Sequence, residues 1–120
     1  MAYGKIVADQ IQHSSEGTVG TQYVVNGSAK AWSYGNQTTI DDGFNISTVT
    51  DNGVGLYIYN LTSSMSNSTY PVAGICQNAR VFLEYEGILT TSSYGIGCRD
   101  MDTNAFEDTN TGTMIHGDLA

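Results

Sequence analysis

No stretch of a dozen residues in this chain holds a helical period of apolar side chains, whereas short runs at the strand period recur along its length. The clearest is a hairpin: Phe44–Thr50 as one strand, Asp51–Gly55 as the turn, Leu56–Thr62 as the return. Side chains alternate along a strand, so Tyr57, Tyr59 and Leu61 share one face while Leu56 and Ile58 point the other way. Both faces are partly apolar, which fits a strand covered on two sides. Five turn residues with two glycines suit a hairpin loop with a bulge.

Other runs read as strands on the same grounds. They are Thr21–Val25 and Ser28–Trp32 around a tight Asn26-Gly27 reversal, Ser68–Cys76, Arg80–Glu86, Ser92–Cys98 and a short strand within Thr111–Ala120. Pro71 lacks a ladder donor and belongs at a strand start, edge or bulge. Ser14–Gly17 is a turn, and Asp100–Asn110 a long acidic loop. Residues 1–20 are weakly patterned and read as an N-terminal docking arm or exchanged strand, with 21–120 a single β domain. The expected class is all-β: a compact antiparallel sandwich or small barrel of seven to nine strands.

Composition explains why such a domain would be marginal alone. Leu, Ile, Val and Phe supply only 25 of 120 residues, whereas Ser, Thr, Asn and Gly supply 48. Eight Tyr and one Trp restore some buriable area. Trp32, beside small residues, is expected in the core. A core this lean is usually supplemented by oligomerisation.

Charge narrows the partners. Four basic against twelve acidic residues give a net charge of −8, which repels phosphate backbones and anionic lipid. Neither nucleic acid nor membrane is expected as a partner. No apolar run approaches the roughly 20 residues of a membrane span. The opening Met1-Ala-Tyr-Gly-Lys-Ile does not read as an export signal, so Cys76 and Cys98 are expected as free thiols. A bridge between them would need the two strands to be neighbours. The Asn-x-Ser/Thr sequons at Asn36, Asn45, Asn60 and Asn67 are then without consequence.

Chemistry is sparse. His13 and His116 sit near opposite ends of the chain, no Gly-x-Ser-x-Gly elbow occurs, and neither Cys has a His beside it. Glu84 and Glu86 would share a strand face, where a solvated pair is the ordinary reading. Asp100, Asp102 and Asn104 match the first three oxygen ligands of a Ca²⁺ loop, but Ala105 stands where Gly is required and Thr111 where a bidentate Glu is required. No enzyme and no cofactor are expected. Tyr34 and Tyr94, outside the main hairpin, are the candidates for surface binding by stacking.

The stretches Val25–Trp32, Ile40–Gly55, Tyr57–Leu61, Met65 and Tyr70-Pro-Val72 resemble a domain of tail-fibre-like and other virion surface proteins of marine bacteriophages, including cyanophages. The opening Gly4–Ile11 and the ending His116–Ala120 are similar to that family's termini. The resemblance implies a non-enzymatic structural protein, assembled as a homotrimer on the virion and contacting other phage proteins of capsid or tail. It also implies a place in host adsorption, through a surface glycan or receptor, or in particle stability. No shaft, coiled coil or collagen-like repeat precedes the domain, which favours a compact spike, knob or decoration over a long fibre. The alternative is a monomeric carbohydrate- or receptor-binding β-sandwich module.

Overall fold

A computed structural model describes residue 4 and residues 6–78 and 80–120, apart from the side chain of Glu86. Lys5 and positions 1–3 of the expected arm lie outside the described residues, as does the Glu86 half of the carboxylate pair.

The chain is all-β. Among the described residues ten strands run in order: β1 Gln10–His13, β2 Gly17–Gly20, β3 Ala31–Gly35, β4 Ile40–Phe44, β5 Ile46–Asp51, β6 Leu56–Leu61, β7 Val72–Cys76, β8 Arg80–Leu89, β9 Ser93–Asp100 and β10 Thr111–Ile115. Strands β1 and β2 form a separate hairpin. The other eight form one antiparallel sheet in the order β4-β3-β10-β7-β8-β9-β6-β5, which curls into a nearly closed barrel with its two edges, β4 and β5, consecutive in the chain. The expected hairpin of β5 and β6 is present, with Val49 opposite Tyr59 and Asp51 opposite Tyr57.

Its first strand is shorter than expected. Asn45, at φ 58°, breaks the run and sends Phe44 into β4. The Asn45 amide donates to the carbonyls of Lys30 and Ser63, both at 3.0 Å, and its oxygen accepts from Ser63 N–H at 2.7 Å. Asn tolerates the left-handed conformation, and these three bonds hold the corner. The following turn needs a glycine at position 55. Its φ is +66°, and a Cβ there would lie 2.6 Å from the Cys98 carbonyl oxygen.

Thr21–Gly27, expected to contain a strand, is a seven-residue helix, α1. Thr21 ties its start to the preceding chain, donating from N–H to the Asp9 carbonyl at 2.9 Å and from its hydroxyl to that of Ala8 at 2.8 Å. Asn26-Gly27 ends this helix rather than reversing a hairpin; glycine serves either purpose. The paired strand then begins at Ala31, not Ser28.

The core is aromatic. Tyr57, Tyr59, Tyr94, Ile96, Cys98 and Ile115 are fully buried, and the rings of Tyr59 and Tyr94 stack at 5.3 Å. Each buried hydroxyl has a matching polar group. Tyr57 accepts from Thr109 N–H at 2.8 Å, Tyr59 meets the Thr111 hydroxyl at 2.6 Å, and Tyr94 meets that of Thr113 at 2.7 Å. Thr113 also bonds Ser33 at 2.7 Å, joining β3, β10 and β9 through the interior. Tyr70 donates to the Thr90 carbonyl at 2.7 Å. The threonines are therefore core components: an unmatched buried hydroxyl would cost about 1–3 kcal/mol.

Cys76 and Cys98 form a disulfide, against the expectation of free thiols. The strands carrying them are not hydrogen-bonded neighbours, since β8 stands between them. Among the described residues, the pair Cys76 opposite Arg80 joins β7 to β8 at the end of β7 and the start of β8, and the two cysteine Cα atoms lie 6.1 Å apart. The separation of 22 residues closes a loop worth about 3 kcal/mol in the chain-entropy account.

Two predictions follow from this core. Reduction under native buffer should lower unfolding stability by about 3 kcal/mol, read as a shift of the urea midpoint, and Cys76→Ser with Cys98→Ser should reproduce it. Burial pushes the hydroxyl pKa of Tyr57, Tyr59 and Tyr94 above the ordinary value of 10.0 and that of Tyr70 up to about 12. Folding thus favours the neutral phenols. That contribution is complete below pH 10.0 and is lost as pH rises above it, for Tyr70 through about 12. In an alkaline titration, the tyrosinate absorbance of these four should rise together with loss of the fold.

Candidate interaction surface

A narrow barrel filled by tyrosine rings from β6 and β9 leaves little room opposite them. On β3 the inward positions are accordingly small: Ala31, Ser33 and Gly35 are buried. The large residues of that strand, Trp32 and Tyr34, face out. Trp32 is 39% exposed rather than in the core, as its sequence context had predicted. The signal is present in the sequence as the small–aromatic–small–aromatic–small alternation of Ala31–Gly35.

Register extends this outer face across four strands. Phe44 on β4 lies opposite Trp32 on β3, which lies opposite Met114 on β10. One step along, Asp42, Tyr34, Gly112 and Ile75 line up on β4, β3, β10 and β7. Phe44 and Ile75 are more than half exposed, and Met114 is 46% exposed. Gly112 flattens the middle, where Trp32, Tyr34, Ile75 and Met114 flank a shallow depression of about 320 Å³. At one margin the Gln77 amide donates to the Tyr34 hydroxyl. Trp32, Phe44, Ile75 and Met114 are the members that sequence reasoning did not select.

The remaining candidates fall elsewhere. Tyr94 is not a surface residue: it is fully buried, because β9 places it in phase with Ile96 and Cys98. Asp100 ends β9, and Asp102 and Asn104 follow it in the adjoining loop. The Asp100 carboxylate accepts from the N–H groups of Asp102 and Thr103, both at 2.9 Å, and from the Thr103 hydroxyl at 3.1 Å. Thr103 and then Asp102, through these N–H bonds, hold its pKa below the usual value. The carboxylate thus closes its own turn. No group of three or more His, Cys, Asp or Glu side chains suited to a metal occurs among the described residues. Glu84 is exposed on β8. His13 accepts from Glu16 N–H at 3.1 Å across the β1–β2 turn, and His116 follows β10.

The loop is anchored from its far side. Arg80 pairs with Glu107, Arg99 lies 4.3 Å over the Phe106 ring, and Asp108 accepts from Gly55 N–H at 2.7 Å. These contacts tie the acidic segment to the β5–β6 turn and the start of β8.

Compared with protein-family models, with curated proteins and with solved structures, the chain shows no match.

Adjacent residues of β10 give a direct check on which face is which. In the dissociated single chain, Met114→Ser should change unfolding stability by about 0.5 kcal/mol or less, since it is 46% exposed there. Ile115→Ala, one position on and fully buried, should cost about 2–5 kcal/mol. Denaturant titration of the two variants reads the difference.

Proposed function

We propose that the chain is a non-enzymatic, self-assembling structural subunit of a bacteriophage virion, a compact spike, knob or decoration exposed on the particle and serving host adsorption or particle stability. The observation that carries this reading is the uncovered apolar face of β4-β3-β10-β7. A monomeric protein rarely leaves Trp, Phe, Met and Ile side by side in water. The sequence resemblance to marine phage surface proteins supplies the setting, and the homotrimer comes from that resemblance. The polar strands, the disulfide and the net charge of −8 suit an oxidising, solvent-facing particle surface. Residues 1–20 act in this reading as the docking arm.

A second reading, a monomeric carbohydrate-binding module, is favoured by one observation. Trp32 and Tyr34 flank a flat glycine floor, with the Gln77 amide and the Asp42 carboxylate beside it, the form of a stacking platform for a sugar ring.

Two measurements separate them. Light scattering of the full chain at micromolar concentration should give three times the chain mass, and a monomer would exclude the trimer. Purified particles of the encoding phage should carry the chain at a site of matching local symmetry in a reconstruction. Its absence from such particles would overturn the virion assignment.

A further inference from the structure

The outer barrel face does not end at Phe44. Val24 and Val25 of α1 meet Phe44 and Leu119 along a groove of about 530 Å³, so the apolar strip continues from the barrel onto the N-terminal module, residues 6–27. That module is unusual in a physical sense. Its helix has seven residues, no side-chain cap and no buried residue. An isolated helix of this length is unstable in water, and one packed onto its own domain would bury a face. Instead Tyr23, Val24 and Val25 are 69%, 44% and 60% exposed, and Ile6 and Val7 ahead of them are 93% and 83% exposed.

The chain thus carries two uncovered apolar surfaces that adjoin each other. With about 150–250 Å² for a fully exposed aromatic side chain and less for an aliphatic one, the two surfaces together leave on the order of 1,000 Å² open, which is the total that one contact taking one surface from each copy would bury and lies at the lower end of specific interfaces. A sugar ring would cover a small part of it, and the aliphatic members Val24, Val25, Ile75 and Met114 offer a sugar hydroxyl no partner. The occupant must be apolar, broad and matched to a strip of this shape.

The geometry points to a second copy of this chain as that occupant: the N-terminal module of one copy covers the outer face of β4-β3-β10-β7 on the next. Tyr23 and Val25 of one copy would pack against Trp32, Met114 and Ile75 of its neighbour. Both surfaces occur on every copy, so the contact can repeat around a ring and satisfy every subunit. The helix would gain the burial that it lacks in the single chain. This inference rests on the self-assembling reading above and specifies its interface.

Both native cysteines are bonded to each other, so an engineered one is the sole free thiol. Copies carrying Tyr23→Cys mixed with copies carrying Met114→Cys should form an intermolecular disulfide on oxidation. Neither variant alone should form one efficiently. Val25→Asp, at an exposed position that leaves the barrel intact, should weaken association at least tenfold in sedimentation, with circular dichroism unchanged. An oligomer that survives Val25→Asp undiminished, or whose bridges join Tyr23→Cys to itself or Met114→Cys to itself, would overturn the interface while the self-assembling reading stands. A full-length chain that stays monomeric would overturn both and leave the strip to a glycan or another polypeptide.

Discussion

The barrel depends on the pairing of buried tyrosine hydroxyls with Thr109, Thr111 and Thr113. Tyrosine supplies the bulk that 25 Leu, Ile, Val and Phe residues do not, but every buried hydroxyl needs a partner. The segment leading into β10 and the strand itself provide those partners at every second position, which is the strand period. The same alternation that turns Thr111, Thr113 and Ile115 inward turns Gly112 and Met114 outward. The polar core and the apolar outer face are thus two consequences of one strand's phase. A composition rich in threonine and poor in leucine is, in this fold, the composition of a core.

Filling the interior from β6 and β9 also fixes what the opposite wall can present. Ala31, Ser33 and Gly35 are small because the rings of Tyr59 and Tyr94 already occupy the space, and Trp32 and Tyr34 are displaced to the outside. An inverted division, with Trp32 inward, would need a wider barrel or smaller residues on β9. The outer face is therefore tied to the core through packing: enlarging Ala31 or Ser33 would press on the tyrosines before it altered the surface.

The parts of this architecture that were legible in the sequence are the local ones. The alternation of Tyr57, Tyr59 and Leu61 and the turn at Asp51–Gly55 declare a hairpin by themselves, and the polarity of Asp100–Asn110 declares a loop. What was not legible depends on partners distant in the chain. Tyr34 and Tyr94 both sit among Ser and Gly, and only the direction of each strand around the barrel decides that one is outside and the other buried. The Cys76–Cys98 bridge joins strands that are not hydrogen-bonded neighbours, a tertiary feature with no local signature. The helix at Thr21–Gly27 is written in residues with strand propensity, and its start is held by bonds to Ala8 and Asp9 rather than by its own composition.

The scarcity of cations has a consequence for how this molecule is degraded. Lys30 is buried, with its ammonium bonded to the Val25 carbonyl and the Ser28 hydroxyl. The Arg80 side chain is 16% exposed and paired with Glu107, and Arg99 lies in a strand with its guanidinium against Phe106. A protease that cuts after basic residues meets, among these three, no free loop; two are in strands of the barrel sheet and the third directly precedes one. Cleavage there requires the barrel to open first. Digestion at these three sites is then limited by the rate of unfolding or by the open population, and the lifetime of the barrel in a protease-rich medium becomes a property of the barrel as a whole.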